Sequence, residues 1–287
     1  GLVYKQDGRI ISNPPRTVED LNAFPDFDVN LIRWERYYEV KEFGTRTVRI
    51  VTSYGCPYAC GFCCEPVNSR RRWAAFSAER ILGLLLKLRD VVEFDSLIVD
   101  DSNFFVDERR VRAICQGLLD HGFRVRLGYV NGRADLLMRY REESWALLQQ
   151  AGLHNILVGV ESGNNHTLQL MHKEGTVEDF YRLLEVADRY GVKILASTIL
   201  GVPSDAYAGG ARRAFAEEFS ELVALSRRIC TGARQHYLFV NPYIPFPSAA
   251  LYPKALSLGF QPPHNLEGWG KYRYQEAHVP WITVNEW

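Results

Sequence analysis

Short runs rich in β-branched and other apolar residues recur along the chain from about residue 45 onward. Runs of this length, bounded by turn-forming residues, are typical of strands. They predict six strands, at Val48–Thr52, Ser96–Asp100, Arg124–Tyr129, Asn155–Val160, Lys193–Leu200 and Gln235–Val240.

Between these runs the apolar residues recur at the spacing of amphipathic helices. Helix starts are indicated by Ser77, by Asp107 and by the capping pattern from Thr176 to Asp179. An alternation of strands and helices is typical of βα units around a parallel sheet. We therefore predict an α/β fold, a partial (βα)6 barrel similar to a TIM barrel. The apolar stripes of three of these predicted helices are formed by Ile81, Leu84, Leu85 and Leu88; by Val111, Ile114, Cys115 and Leu118; and by Phe180, Leu183, Leu184 and Ala187.

The two ends of the chain differ from this pattern. Residues 1–44 are predicted to be an N-terminal connector, because they hold too little apolar periodicity for a domain. Residues 45–253 form the predicted barrel domain. Residues 254–287 form a short C-terminal tail, in which aromatic residues are expected to pack on the barrel; these are Trp269, Tyr272, Tyr274, Trp281 and Trp287.

Composition and charge exclude several classes of protein. The 287 residues are 47% hydrophobic and 24% charged, with a formal net charge of zero, which argues against a general nucleic-acid or membrane-surface binder. No apolar run approaches the length of a membrane span, and the chain shows no secretory signal, so we expect a cytoplasmic location. In that reducing compartment, clustered thiols bind metals or react more often than they form disulfides.

The stretch SYGCPYACGFCCEP contains four of the six cysteines, namely Cys56, Cys60, Cys63 and Cys64. It follows the first predicted strand, so it lies at the carboxyl edge of the sheet, where parallel barrels place their chemistry. Three thiolates at this spacing can ligate three irons of a cubane cluster and leave the fourth iron open. A zinc site with Cys64 as the fourth ligand remains an alternative. Otherwise Cys64 is a packing residue, as are the isolated Cys115 and Cys230.

The CxxxCxxC spacing, with the aromatic Phe62 before the last cysteine, resembles the radical S-adenosylmethionine superfamily. The resemblance implies a 4Fe-4S cluster on Cys56, Cys60 and Cys63. It also implies that the open iron chelates S-adenosylmethionine, which the reduced cluster cleaves to methionine and a 5'-deoxyadenosyl radical. Phe62 is then expected near the adenine.

Polar residues at the ends of the later strands are candidates for binding this cofactor. The segment ESG, with Glu161 and Ser162, is similar to a family segment that contacts S-adenosylmethionine, and ILGVP resembles the motif beside the adenine. A carboxylate can accept from an ammonium or a ribose hydroxyl, and an arginine can pair with the methionine carboxylate. Each of these residues has a local structural role as its alternative. The predicted cofactor contacts are Phe62, Asp101, Arg133, Glu161, Ser162, Gly201 and Asn241.

Several longer segments resemble the cobalamin-dependent branch of the superfamily, among them DDSNFFVDERR and GVESGNNHTLQLMHKEGT. This resemblance implies methylation of an unactivated carbon in a small-molecule or natural-product substrate, with flavodoxin or ferredoxin as electron donor. The 44 residues before the barrel are too few for a doubly wound cobalamin domain, so cobalamin is expected to bind through a domain outside this chain. A radical cyclase or rearrangement enzyme without cobalamin is the second hypothesis. A non-catalytic iron–sulfur or zinc module is the third.

Overall fold

The computed structural model describes residues 1–14, 20–231, 236–272 and 278–282. Its strands are β1 (Val3–Gln6), β2 (Arg9–Ser12), β3 (Glu39–Lys41), β4 (Gly44–Ile50), β5 (Ser53–Gly55), β6 (Trp73–Ala75), β7 (Ser96–Val99), β8 (Arg126–Gly128), β9 (Val130–Gly132), β10 (Asn155–Glu161), β11 (Lys193–Leu200) and β12 (Tyr237–Pro242). Its helices are α1 (Glu65–Asn68), α2 (Ala78–Val91), α3 (Glu108–Asp120), α4 (Ala134–Leu137), α5 (Glu142–Gln150), α6 (Asn165–Leu170), α7 (Val177–Tyr190), α8 (Asp205–Cys230), α9 (Tyr252–Ser257) and α10 (Leu266–Lys271).

Parallel pairing joins the strands in two four-stranded sheets. One has the order β3-β4-β7-β8, with β3 antiparallel to β4, and the other has the order β12-β11-β10-β9. In the second sheet all neighbours are parallel. Within the described residues, no strand pairing closes the sheets into a barrel. The predicted α/β fold with TIM-like parallel strands is therefore confirmed as an open form.

The structure corrects several of the predicted strand limits. The strand predicted at Arg124–Tyr129 is wrong in extent: it divides into β8 and β9 at Tyr129, whose left-handed backbone, with a φ of 49°, interrupts the pairing. β4 ends at Ile50 and not at Thr52, because the Thr52 N–H donates to the Asp101 carboxylate instead of to a neighbouring strand. β12 begins at Tyr237, and the predicted start at Gln235 lies outside the described residues.

The helices bury the stripes that the sequence predicts. All of the predicted stripe residues are buried except Leu84, which is partly exposed at the rim of α2. Each fully buried large apolar side chain contributes about 1.5–3 kcal/mol relative to exposure. Ser77 and Asp107 cap α2 and α3, and Thr176 with Asp179 forms the reciprocal capping box at the start of α7. The predicted caps are confirmed.

A second, smaller apolar cluster holds the C-terminal residues against the sheet. Trp281 packs beside Tyr207 and Tyr243, while Trp269 and Tyr272 pack on Phe260. The expected packing on the predicted barrel region is seen for Trp281, whereas the ring contacts of Trp269 and Tyr272 are with Phe260, a residue of the tail itself. The tail residues Tyr274 and Trp287 lie outside the described residues.

The predicted boundaries at residues 44 and 253 stay predictions. The first falls inside a hairpin, because Glu39–Lys41 pairs with β4 across it. Among the described residues, no helix combines the length and apolarity needed to cross a bilayer.

Candidate functional site

A cavity of about 460 Å³ opens at the carboxyl ends of the parallel strands. Its wall contains residues from the cysteine loop after β5 and from the ends of β9, β10, β11 and β12. Among the residues predicted from the sequence, those that line the cavity are Cys56, Cys60, Phe62, Cys63, Arg133, Glu161 and Asn241. Cys64 also contributes to the wall. The fold thus brings most of the predicted residues into one space.

Backbone contacts hold the cysteine loop in place. Gly55 has a φ of 81°, and a Cβ there would lie 2.0 Å from the Arg72 carbonyl oxygen, so the hairpin of β5 and β6 requires glycine. The Gly61 N–H donates to the Met171 carbonyl (2.6 Å), and the Gly61 carbonyl accepts from the Leu251 N–H (2.8 Å). The loop is therefore fixed to the end of α6 and to the start of α9.

Asp101 supports the base of this loop from behind. Its carboxylate is fully buried and accepts from the Thr52 N–H (2.6 Å), the Thr52 hydroxyl (2.5 Å) and the Ser53 hydroxyl (2.6 Å). Asp101 does not line the cavity. The structure therefore places the predicted cofactor contact in a supporting position, with its carboxylate already satisfied by the chain.

Arg133 lies against the cysteines, buried at the end of β9. Its Nε donates to Asp135 Oδ1 (2.9 Å), one terminal nitrogen donates to Cys60 Sγ (3.3 Å) and the other to the Glu174 carbonyl (2.8 Å). The guanidinium also stacks on Tyr58, 3.6 Å from the ring centroid. Burial lowers the pKa of Arg133, but Asp135 and Cys60 outweigh it, so the pKa lies above its ordinary value. Three of the five N–H donors of the guanidinium are engaged in this way, and the bidentate pair with a ligand carboxylate stays a prediction.

Glu161 reaches the cavity from a bulge at the end of β10. Its φ of 68° is unusual for a residue with a Cβ, and such strain is concentrated at functional sites. One carboxylate oxygen lies 3.1 Å from Lys173 Nζ, and both side chains are nearly buried. Lys173 in turn lies 6.0 Å from the centroid of the Phe62 ring. A buried pair and an aromatic ring therefore form one part of the wall.

Gly159 makes room for this carboxylate. A Cβ at Gly159 would lie 2.1 Å from Glu161 Oε1 and 3.1 Å from Lys173 Nζ. The Glu161 side chain therefore folds back over a position where only glycine leaves space.

Ser162 and Gly201 do not line the cavity. The Ser162 hydroxyl accepts from the Asn164 N–H (3.1 Å), in a turn before α6. The Gly201 N–H donates to the Glu218 carboxylate (3.0 Å), and its carbonyl accepts from the Trp281 indole (3.1 Å). Both residues thus make hydrogen bonds within the chain, and their contacts with the cofactor stay predictions.

Asn241 does line the cavity, at the end of β12. Its Nδ2 donates to the Ser197 hydroxyl (3.0 Å) and to the Thr198 carbonyl (3.3 Å). These bonds use both amide hydrogens and fix the side chain. Its carbonyl oxygen is therefore the atom that can accept from a bound molecule.

Sequence reasoning missed two residues of the wall. Lys173 stands in the quoted segment LMHKEGT, but nothing in the spacing connects it with Glu161. Asn103 follows β7, is almost fully buried, and its Nδ2 has no hydrogen-bond partner. A buried amide without a partner next to a cavity is a donor available to a ligand.

The thiols fit a cluster better than a single ion. Among the described residues, no three side chains of His, Cys, Asp or Glu converge closely enough to hold one metal ion. A cubane cluster does not require the thiols to converge on one point, because each thiolate binds a separate iron. Burial raises the pKa of Cys63 to about 11 and also raises the pKa of Cys56. Because metals bind the thiolate form, ligation at these cysteines must work against the raised pKa of each thiol.

Comparison with protein families decides the classification. Residues 50–208, more than half of the chain, match the model of the Radical SAM superfamily. The chain belongs to the radical S-adenosylmethionine superfamily. The matched range includes the cysteine loop and the strand ends as far as ILGVP.

Three curated relatives illustrate the range of this superfamily. An uncharacterised methyltransferase from Pyrococcus horikoshii is 24% identical over 206 residues, 71% of this chain and 43% of that protein. An anaerobic magnesium-protoporphyrin IX monomethyl ester cyclase from Rubrivivax gelatinosus is 25% identical, over 71% of this chain and 36% of that protein. A hopanoid C-3 methylase from Methylococcus capsulatus is 28% identical, over 61% and 33%. The chain spans less than half the length of each of these relatives.

Solved structures support the same fold. The apo form of OxsB, a cobalamin-dependent S-adenosylmethionine radical enzyme, has a TM-score of 0.55 at 22% identity, covering 69% of this chain and 29% of that one. The methyltransferase TsrM from Kitasatospora setae has a TM-score of 0.53 at 19% identity, covering 74% of this chain and 38% of that one. These similarities confirm the fold.

Proposed function

We propose that Cys56, Cys60 and Cys63 hold a 4Fe-4S cluster, and that S-adenosylmethionine binds beside it in the cavity. The observation that carries the proposal is that these three thiols and Glu161 line one cavity of about 460 Å³. This volume lies within the usual range of small-molecule sites, about 300–1,000 Å³. Membership of the superfamily independently implies both the cluster and S-adenosylmethionine.

The cluster, when bound, supplies the electron that cleaves the sulfonium of S-adenosylmethionine. The residues of this chain bind and orient the cofactor. Glu161 offers a carboxylate oxygen to an ammonium or a ribose hydroxyl, and Lys173 holds that carboxylate in position. Phe62 presents a ring to the adenine, while Ile199, Ile244 and Phe246 keep the wall apolar. Apolar walls exclude water, which protects a reactive radical from side reactions.

For the whole reaction we propose cobalamin-dependent methylation of an unactivated carbon in a small-molecule substrate. The segments DDSNFFVDERR and GVESGNNHTLQLMHKEGT support this branch, and relatives named as methyltransferases and methylases support methyl transfer. Cobalamin is then bound by a domain other than the barrel described here. A low-potential carrier such as flavodoxin or ferredoxin supplies the electron.

A cyclisation that needs no cobalamin is the second candidate. A specific observation favours it, since relatives from Rubrivivax gelatinosus and Cereibacter sphaeroides are named as cyclases. Addition of cobalamin together with a cobalamin-binding domain distinguishes the two. Methyl transfer requires them, whereas cyclisation proceeds without them.

The experiment is anaerobic reconstitution with iron and sulfide, followed by dithionite and S-adenosylmethionine. We expect 5'-deoxyadenosine from the wild type and none from a variant in which Cys56, Cys60 and Cys63 are all alanine. Fully reconstituted wild-type protein that forms no 5'-deoxyadenosine would contradict the proposal. One zinc per chain with no iron would instead select a structural metal site.

A further inference from the structure

A single hydrogen bond connects a buried cation to the cysteine loop. Arg133 donates to Cys60 Sγ over 3.3 Å, and Arg133 is only 5% exposed. We propose that Arg133 is a positioning residue that sets the reduction potential of the cluster through this bond to Cys60. The inference rests on the proposed ligation of the cluster by the three cysteines.

The bond is fixed by everything around the guanidinium. Asp135 holds Nε and the Glu174 carbonyl holds the second terminal nitrogen, so the remaining terminal nitrogen is directed at the sulfur. The Tyr58 ring covers one face of the guanidinium at 3.6 Å. The planar guanidinium is fixed by these three contacts and keeps its orientation without a ligand. A lysine ammonium, which is not planar, would not be oriented in this way.

The direction of the effect follows from charge. One-electron reduction by a low-potential donor adds one negative charge to the cluster and its thiolates. A buried N–H donor and a positive charge beside a ligand sulfur stabilise the more negative state, and hydrogen bonds to the sulfurs are a known determinant of cluster potential. Arg133 is therefore expected to make the cluster easier to reduce.

Asp135 opposes this effect. Its Oδ1 accepts from Arg133, while its Oδ2 is buried with no hydrogen-bond partner, so its negative charge is incompletely compensated. Neutralising Asp135 leaves more of the Arg133 charge to act on the cluster. Variants of the two residues should therefore shift the potential in opposite directions.

The test is a redox titration of the reconstituted full chain, followed by the electron paramagnetic resonance signal of the reduced cluster. Removing a hydrogen bond to a charged group changes an equilibrium by roughly tenfold or more. For a one-electron couple, tenfold corresponds to about 59 mV. We expect Arg133→Gln to move the midpoint by at least about this amount to more negative values, Arg133→Lys by less, and Asp135→Asn to more positive values.

Arg110→Gln is the matched control. Arg110 is also buried and donates to the carbonyls of Thr52 and Phe76 near the same loop, but it makes no bond to a cysteine sulfur. Its substitution should leave the midpoint unchanged. If Arg133→Gln does not fold, the opposite shifts of Arg133→Lys and Asp135→Asn carry the test.

Two results overturn the inference. The first is an Arg133→Gln midpoint equal to that of the wild type or of Arg110→Gln, and the second is a shift of Asp135→Asn in the same direction as Arg133→Lys. If the wild type itself assembles no cluster, the proposed ligation fails, and the inference fails with it. A cluster that assembles and forms 5'-deoxyadenosine, but shows no opposite shifts, refutes the inference alone.

Discussion

Replacement of Gly159 by alanine separates the stability of the chain from its binding of S-adenosylmethionine. The new Cβ lies 2.1 Å from Glu161 Oε1 and 3.0 Å from Glu161 Cδ. Gly159 is a strand residue without positive φ, so alanine is compatible with its backbone. The Glu161 side chain must therefore move, and its pair with Lys173 must change.

The magnitudes show which effect is larger. Overpacking costs about 1–3 kcal/mol, and the low end applies because the atoms met are the ends of flexible side chains. Replacing glycine by alanine where the backbone allows it stabilises the folded state by about 0.4–1 kcal/mol, because the unfolded chain has less conformational entropy. The free energy of unfolding should thus fall by about 1 kcal/mol or less. A displaced hydrogen bond to a charged group costs about 1.5–3 kcal/mol, which is roughly ten- to 150-fold in affinity.

The assay pairs urea unfolding of Gly159→Ala with calorimetric titration of S-adenosylmethionine into the reconstituted protein. Gly83→Ala is the control, because a Cβ at Gly83 meets nothing within 4 Å and alanine stabilises a helix interior by roughly 0.5–1 kcal/mol. Gly83→Ala should bind as the wild type does. An affinity of Gly159→Ala within twofold of the wild type would refute the role assigned to Glu161.

Three further predictions follow from the same structure. Asp101→Ala should lower the free energy of unfolding by about 1–3 kcal/mol and reduce iron content, because the buried Thr52 N–H loses its acceptor; unchanged urea midpoints would contradict this. Burial raises the pKa of Glu218 above its ordinary 4.5, so this carboxyl loses its proton at lower pH in the unfolded state than in the folded state. The free energy of unfolding of the wild type should therefore fall relative to that of Glu218→Gln as pH rises from 4.5. A difference between the two proteins that does not change with pH would contradict this prediction. Cys64→Ala should retain four irons per chain, as expected for a cubane on the other three cysteines, and iron analysis checks this.

The sequence predicts the part of the site that depends on local pattern. The cysteine spacing and the βα alternation place Cys56, Cys60 and Cys63 at the carboxyl edge of the sheet, and the structure has them there. Glu161 is predicted from its place at a strand end together with the resemblance of the segment ESG to a family segment. These features depend on short motifs and on the order of elements along the chain.

Pairings between distant residues could not be predicted. The bond from Arg133 to Cys60 joins residues 73 positions apart, and the bonds from Thr52 and Ser53 to Asp101 join residues 49 and 48 positions apart. For a charged residue at a strand end, the sequence does not show whether its side chain faces a cavity or forms hydrogen bonds with the chain behind that cavity. Which of these occurs depends on strand register, and only the folded chain fixes it.

In the proposed function, three cysteines hold a cluster whose remaining iron binds S-adenosylmethionine. The most direct measurement is electron–nuclear double resonance of the reconstituted protein, reduced and frozen before cleavage proceeds, with S-adenosylmethionine that carries a heavy nitrogen isotope in its amino group. We expect a hyperfine coupling between that nitrogen and the cluster, in the wild type and in Cys64→Ala alike. A fully assembled cluster that shows no such coupling, with S-adenosylmethionine bound, would contradict it.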